Sequence, residues 1–597
     1  MGSIASDKET ASRLTMNLHF GNFPQLLVPF AASHFAAART IWINKEFPEH
    51  FGSYAAANDE RFVKNFSYLV PGGVTFDNLV LSDWNTAILH AERYGGNGIG
   101  ENGGGARCGN IAGLQVKGVG KNVLAGCRDI HHSYGGFKAA YAVHEAIYSS
   151  ILSKVLPLGV AGVHGVILTG SDAAYVSGMQ RGWGGLLVRQ QSLRPANFLR
   201  ASFFSPPAEV AERLLSDVGR VRGVNKQLMR GAGDVSQVVR LFCRFLANAA
   251  DQFAFARLAG IMHGAVTPSN QCLDGRWIDL TNTSFVSPSE NYAGGNRETA
   301  AFHEEVYEPI SIGVALVAQF SKFNCHQISI KPFVDYYREC LNQRLSVHLD
   351  YVCGLPRGSF ARSHGHSFLR SLLQELLSKI SGGPVIYDRW PTDPPKGEAI
   401  FEIMANLFVS ASSERLPQVN SLNPSSFAET WAPSFRQLLL EIKPTLAGVD
   451  LTPHLFLVGS AIAAAKRLLL TPFFYKGRLE KIVCDMLEND QIDQLESYIP
   501  TVVDASKWIL NLEIERDIAV VELPCLVLSF DLLTGVYIAK INARNLIAFN
   551  DPLTLLVWCD NQNPRLFEMD GFNFLPYVHR ILNIIHAMNA VSNHAGR

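Results

Sequence analysis

Asn270 and Asp279 stand nine residues apart around Gln271-Cys272-Leu273-Asp274-Gly275-Arg276-Trp277-Ile278, and together they offer two hard oxygen ligands. Asp274-Gly275 between short apolar runs signals a two-residue hairpin, because a type I′ turn needs positive φ at both central residues. With that turn, Leu273 pairs with Arg276, Cys272 with Trp277, Gln271 with Ile278 and Asn270 with Asp279. The amide oxygen and the carboxylate then face each other across two strands, with Cβ atoms roughly 4.5–5.5 Å apart. Oxygen ligands so placed can share a magnesium ion that also holds the phosphates of ATP.

The rest of the chemistry lies upstream and must be carried to the hairpin by strands and a helix. Residues 93–107 are glycine-rich, with Gly103, Gly104 and Gly105 consecutive, and glycine at this density lets backbone N–H groups approach an anion. In Gly113–Gly120, Leu114 and Val116 point one way while Gln115 and Lys117 point the other, as in a half-buried strand with Lys117 on its polar face. Residues 137–155 read as a helix, with Tyr141, His144, Tyr148, Ile151, Leu152 and Val155 in a stripe and Glu145 beside it. Strands follow near Val163–Leu168 and at Gly185–Arg189. Arg189, on an apolar strand close to Arg194 and Arg200, needs an anionic partner if buried, and phosphate is a candidate.

Glycine-rich loop, strand lysine, helical glutamate and then an Asn…Asp pair is the order of parts in the protein-kinase fold. The expected class is therefore α+β, kinase-like with a β-rich and a helical lobe and a further C-terminal α/β region. The expected division is a 1–80 N-terminal extension, an 81–195 nucleotide-binding lobe, a 196–480 mainly helical lobe carrying the hairpin, and a 481–597 α/β region. Helical patterns cover most of 207–260, then 301–322, 332–349 and 366–380. Strand-like runs occur at Ala519–Phe530, Gly535–Ile541 and Leu553–Trp558, before a last helix near Phe574–Asn589.

Four pieces of the chain also resemble one family. Leu114-Gln115-Val116-Lys117-Gly118-Val119-Gly120 looks like L-Q-L-K-G-A-G, His144-Glu145-Ala146-Ile147 like R-E-F-L, and Leu187-Val188-Arg189 like L-V-R. Met262 to Asn270, with Ile278-Asp279 following, is similar to C-H-G-V-M-N-T-D-N and I-D-Y-G with the same nine-residue step. The stretch from Arg93 to Val286 thus resembles selenoprotein O, a pseudokinase-fold family that transfers AMP to protein hydroxyls. The resemblance implies that Lys117 contacts phosphate, Glu145 pairs with it, Asn270 and Asp279 bind Mg2+, and Arg189 and Arg194 hold ATP. It also implies an ATP flipped relative to ordinary kinases, with the α-phosphate facing the acceptor. Two departures stand out: Ser269 replaces the family's acidic residue before the metal-binding Asn, and the second arginine is offset, leaving Arg200 as a rival to Arg194.

Without that acid the acceptor is open between a hydroxyl, which benefits from proton removal, and a carboxylate, which is already an anionic nucleophile at neutral pH. The expected enzyme is an ATP- and magnesium-dependent adenylyltransferase acting on a protein or peptide. A terminal carboxylate would become an acyl-adenylate, as suits microcin-type peptide modification with a partner enzyme. A kinase-like phosphotransferase and a catalytically silent nucleotide-binding scaffold are the alternatives.

Composition is compatible with a globular protein, at 47% hydrophobic and 18% charged residues. The 52 basic and 53 acidic residues nearly cancel, so no global field draws the chain to nucleic acid or an anionic membrane. Ten scattered cysteines form no C-x-x-C pair, which argues against a structural zinc site. With no run near the ~18 apolar residues of a membrane span and a polar start, the expectation is a cytoplasmic protein. Gly2 and Ser6 fit the loose myristoylation pattern. His131-His132 is read as a solvated loop and His263 as a packed structural residue.

Overall fold

The computed structural model describes residues 18–46, 59–70, 86–126, 134–175, 181–206, 208–212, 214–286, 302–360, 367–380, 399–413, 427–442, 445–446, 449–511, 515–542 and 544–595. The Gly2/Ser6 pattern and His131-His132 lie outside them.

The architecture is α+β. Its largest sheet has eight strands: β1 (Leu27–His34), β2 (Arg39–Ile43), β3 (Tyr68–Leu69), β4 (Thr86–Glu92), β5 (Cys108–Ile111), β6 (Leu114–Lys117), β7 (Val163–Tyr175) and β8 (Arg181–Gln190). Their spatial order is β2-β7-β8-β6-β5-β4-β1-β3, and every pairing is antiparallel. Residues 27–69, expected as an extension, therefore supply three of the eight strands. The boundary placed at 480 also fails, because it cuts the Lys476–Glu488 helix.

The hairpin joining β5 to β6 turns on Ala112 and Gly113, both at positive φ (52° and 78°), with Ile111 opposite Leu114. That is the two-residue geometry expected further along at Asp274-Gly275. It fixes the register that sets Gln115 opposite Arg189 and Lys117 opposite Leu187 on β8. Because side chains alternate along a strand, Gln115, Lys117, Leu187 and Arg189 share one face. The other face carries Leu114, Val116, Leu186 and Val188 into a smaller core with Phe30, Phe62, Phe66 and Leu89. All four β6 residues are buried, so the strand is not half-exposed as its alternation suggested.

Across the Lys117 face lies the helix Ala139–Val155, packed on β7 and β8 from one side and on the helices Lys476–Glu488 and Ile492–Ile509 from the other. Fourteen of its seventeen residues are buried, so the stripe read from the sequence understates how completely it is enclosed. Each wholly buried aliphatic side chain on it, such as Ile147 or Leu152, contributes about 1.5–3 kcal/mol. The main apolar core runs continuously from Phe20 to Met588 and includes this helix.

Helices Asp217–Ala232, Val235–Ala259, Glu308–Asn324, Lys331–Val347 and Ser367–Ile380 follow. Pro453–Phe474, two consecutive helices, is long and apolar enough to span a membrane, which the sequence reading overlooked; 89% of its most apolar window is buried within the protein. A four-stranded antiparallel sheet occupies Asp517–Phe549. The run Ala519–Phe530 is two of its strands, and Leu553–Trp558, expected as a strand, lies in the helix Pro552–Asp560. Helix wins there because the Asp551 carboxylate caps the Thr554 N–H at 2.9 Å and Pro552 occupies the first turn.

Candidate functional site

Four elements bring the sequence-predicted charged residues together. Lys117 on β6 donates to Glu145 Oε2 of the covering helix at 3.0 Å, to Thr281 Oγ1 at 3.4 Å, and to Asp279 Oδ1 in a short contact. Glu145 Oε1 accepts from Arg189 Nη1 at 2.5 Å, so one carboxylate bridges two cations. Lys117, Glu145, Arg189 and Arg194 are each 1% exposed. Burying ions this deeply is tolerated only when each is paired, and a buried pair is seldom the most stabilising filling for a core. Such a cluster is a functional-site signal.

Gln115, read only as a polar-face neighbour of Lys117, is the hub of the cluster. Its Oε1 accepts from Arg189 Nε at 3.0 Å, Arg189 Nη2 at 2.8 Å and Arg194 Nη2 at 3.0 Å, and its Nε2 donates to Glu92 Oε2 at 2.9 Å. Glu92 lies 3.5 Å from Arg194 Nη2 and accepts from Asn197 Nδ2 at 2.9 Å. Arg194 also donates to the Ser269 carbonyl at 2.9 Å and packs over the Tyr94 ring. Arg200 is outside the cluster, bound to Asp217 at 2.7 Å. Of the two rivals, Arg194 is the neighbour of Arg189.

The hairpin forms with a different register from the one expected. Gly275 N–H donates to the Cys272 carbonyl at 2.9 Å, Cys272 N–H to the Arg276 carbonyl at 2.8 Å, and Ile278 N–H to the Asn270 carbonyl at 3.1 Å. Only Gly275 among the turn residues has positive φ (93°), so the loop has three residues, and Asn270 lies opposite Ile278 instead of Asp279. Asp279 itself adopts a left-handed backbone (φ 63°, ψ 65°), sparsely populated by residues other than glycine. Its Oδ1 engages Lys117 and Thr281, while Oδ2 takes no hydrogen bond from a described residue. The Asp279 side chain is 25% exposed, the open flank of an otherwise closed cluster. Burial works against the Asp279 carboxylate, but the charges of Lys117, Arg189 and Arg107 outweigh it and hold the carboxyl well below the usual range. For Arg189, burial is likewise outweighed, chiefly by Glu145, and the guanidinium stays charged.

Asn270 Nδ2 donates to the Ala265 carbonyl at 2.9 Å, and its Oδ1 receives only a long contact, 3.3 Å, from Ser269 Oγ. His263 Nε2 donates to the Asn270 carbonyl at 3.2 Å and the ring packs edge-on to Trp277 at 4.9 Å. Burial lowers its pKa, giving the neutral structural residue expected. Glu305, absent from the sequence reading, accepts from the N–H groups of His263 (3.0 Å) and Gly264 (2.6 Å); burial pushes its pKa up to about 8. His144 Nε2 donates to the Thr283 carbonyl at 3.0 Å, and burial, reinforced by Lys476, lowers the ring's pKa to about 3 and holds it neutral.

Gly103, Gly104 and Gly105 pack tightly, but not as an anion cradle. Gly103 N–H donates to the Leu124 carbonyl and Gly105 N–H to the Glu92 carbonyl, both at 2.9 Å. A Cβ on Gly103 would meet the Phe204 ring at 2.5 Å, and one on Gly104 would meet the Glu92 carbonyl at 2.1 Å. Close approach of the Phe204 ring and of the Glu92 backbone is what requires glycine at positions 103 and 104.

Among the described residues no three His, Cys, Asp or Glu side chains are grouped to hold a metal, and the nine described cysteines are free thiols. Glu92, Asn197, Thr281 and Glu305 escaped sequence reasoning because nothing local distinguishes them from surface polar residues; their partners are brought by distant segments. No family model and no curated protein matches this chain.

Proposed function

We propose that the chain has a kinase-like two-lobed arrangement, binds ATP with magnesium on the open flank of Asp279, and transfers AMP to a protein or peptide acceptor. The observation that carries this reading is a wholly buried Lys117–Glu145 pair whose third partner, Asp279, reaches solvent. An ammonium fixed by a buried glutamate and abutting a half-open carboxylate suits phosphate binding next to a divalent cation.

The donor set fits magnesium. Asp279 Oδ2 and Asn270 Oδ1 are hard oxygens with little or no hydrogen bonding of their own among the described residues. When bound, magnesium neutralises charge on phosphate oxygens. Lys117 holds Asp279 in place, Glu145 and Thr281 orient Lys117, and Arg189 with Gln115 keeps Glu145 in place. In the transfer an acceptor oxygen bonds to the α-phosphorus, the bond to the bridging oxygen of the β-phosphate breaks, and pyrophosphate leaves.

The acceptor that fits best is a carboxylate. Ser269 Oγ is engaged with Thr267 Oγ1 at 2.9 Å, and His263 is neutral and occupied with a carbonyl. Neither is poised to take a proton from a hydroxyl, and a carboxylate has none to lose. One competing reading, a nucleotide-binding scaffold without turnover, draws support from Lys117, whose three N–H groups face Glu145, Asp279 and Thr281.

The test is to incubate the purified full chain with magnesium and ATP labelled at either the α- or the γ-phosphorus. Retained α-label with release of pyrophosphate is expected. Retained γ-label with release of ADP, as from a phosphotransferase, or ATP binding without turnover would overturn the reading.

A further inference from the structure

Arg189 and Arg194, the arginines expected to hold the nucleotide, are each 1% exposed and already bonded to Glu145, Gln115 and the Ser269 carbonyl. Neither presents a guanidinium edge to solvent. A polyphosphate must therefore be held by other cations on the Asp279 flank.

Two partly exposed cations lie along the aromatic rings next to Lys117. The Arg107 guanidinium lies 5.1 Å from the centre of the Phe137 ring, the same ring over which Lys117 Nζ sits at 4.3 Å while contacting Asp279. Lys138 is adjacent in the chain to Phe137, with its ammonium 3.4 Å from the Tyr141 hydroxyl and 4.8 Å from the Tyr141 ring, and the two rings are 6.3 Å apart. Both cations are partly exposed, and neither has a carboxylate within ion-pair distance among the described residues. The nearby acids are engaged elsewhere: Asp279 with Lys117, and Glu480 with Lys476 at 3.5 Å. Lys138 is moreover the N-cap of the seventeen-residue Ala139–Val155 helix, and its own side chain makes no capping hydrogen bond. Arg107 is tied to the Asp279 flank through the Phe137 ring it shares with Lys117, and Lys138 extends that run of positive charge along Tyr141 at the start of a long helix.

We propose that Arg107, Lys138 and this helix terminus form the seat for the terminal phosphates of a nucleoside triphosphate. The assignment deepens the nucleotide reading above and rests on it for the identity of the ligand. It leaves Arg189 and Arg194 as positioning residues that hold Glu145 and Gln115.

The experiment is calorimetric titration of the full chain with magnesium pyrophosphate, free of nucleotide, and separately with adenosine. Arg107→Gln and Lys138→Gln are each expected to weaken pyrophosphate binding by roughly tenfold or more, as loss of a charge-assisted hydrogen bond does. Adenosine affinity should stay within about twofold, and Arg107→Lys, which keeps the charge, should recover most of the loss. Raising salt should weaken wild-type binding more than that of the double variant. Pyrophosphate affinity unchanged in the double variant, or absent from the wild type, overturns the seat. If pyrophosphate binds and the variants lose it while no α-label is ever transferred, the seat stands and the AMP-transfer reading falls.

Discussion

Glu145→Gln isolates the cost of the buried charge cluster. Lys117, Arg189 and Arg194 face Glu145, Asp279 and Glu92, three cations against three carboxylates. The substitution keeps the shape but removes one negative charge that serves two cations at 3.0 and 2.5 Å, where the Glu145 side chain is 2% exposed. Breaking a buried pair by removing one partner costs about 3–5 kcal/mol, and water cannot reach this site to relieve it. That is a large share of the ~5–15 kcal/mol that separates folded from unfolded states in ordinary domains. Asp279→Asn removes the same charge at a side chain that is 25% exposed, where solvent and the remaining Glu145 compensate; about 1 kcal/mol is expected. Urea unfolding followed by tryptophan fluorescence reports on this directly, because Trp277 is buried beside His263. Equal midpoints for Glu145→Gln and wild type, or a larger shift for Asp279→Asn, would refute the argument that burial sets the penalty.

Three further expectations follow from the geometry. Lys117→Ala and Asp279→Ala should both lose ATP turnover, Asp279→Ala completely and with its fold intact by circular dichroism; turnover retained in Asp279→Ala would count against the assignment. Glu305 has a raised pKa, from 4.5 to about 8, so the protein binds its proton more tightly folded than unfolded. Its contribution to stability is then full below about pH 4.5 and lost as pH rises through about 8, with a slope of at most ~1.4 kcal/mol per pH unit. Glu305→Gln should flatten that slope in unfolding measured from pH 5 to 8, and an unchanged slope would assign it to other groups. Tyr148→Phe removes a hydroxyl that donates to the Phe474 carbonyl and accepts from the Phe285 N–H, and should cost about 1–3 kcal/mol in the same unfolding assay; a loss under ~0.5 kcal/mol would mean that water replaces it.

What the sequence made legible was whatever local pattern encodes. The Ala139–Val155 helix and strands β6, β7 and β8 could be placed because apolar periodicity is a local signal, and the spacing of Lys117, Glu145, Arg189 and Asp279 survives as a spatial cluster. The turn at Asp274-Gly275 was recognised but its length was not, since negative φ at Asp274 depends on its surroundings: the Asp274 carbonyl accepts from Asn248 at 2.7 Å. Leu553–Trp558 carries strand-forming residues, and the cap at Asp551 with Pro552 in the first turn favours helix. Gln115, Glu92 and Glu305 become recognisable only when segments far apart in the chain meet, which no window along the sequence contains.

The helix that carries Glu145 is gripped from both sides, by the eight-stranded sheet and by helices contributed some 330 residues later in the chain, Lys476–Glu488 and Ile492–Ile509. A helix so clamped cannot swing away as a lever without tearing open the main core. Of the cluster's three acids, Glu92, Glu145 and Asp279, only Asp279 is open to solvent, so a ligand approaching the cluster meets its outward oxygen first. The helices Lys476–Glu488 and Ile492–Ile509 are, in that sense, a brace for the segment that carries Glu145.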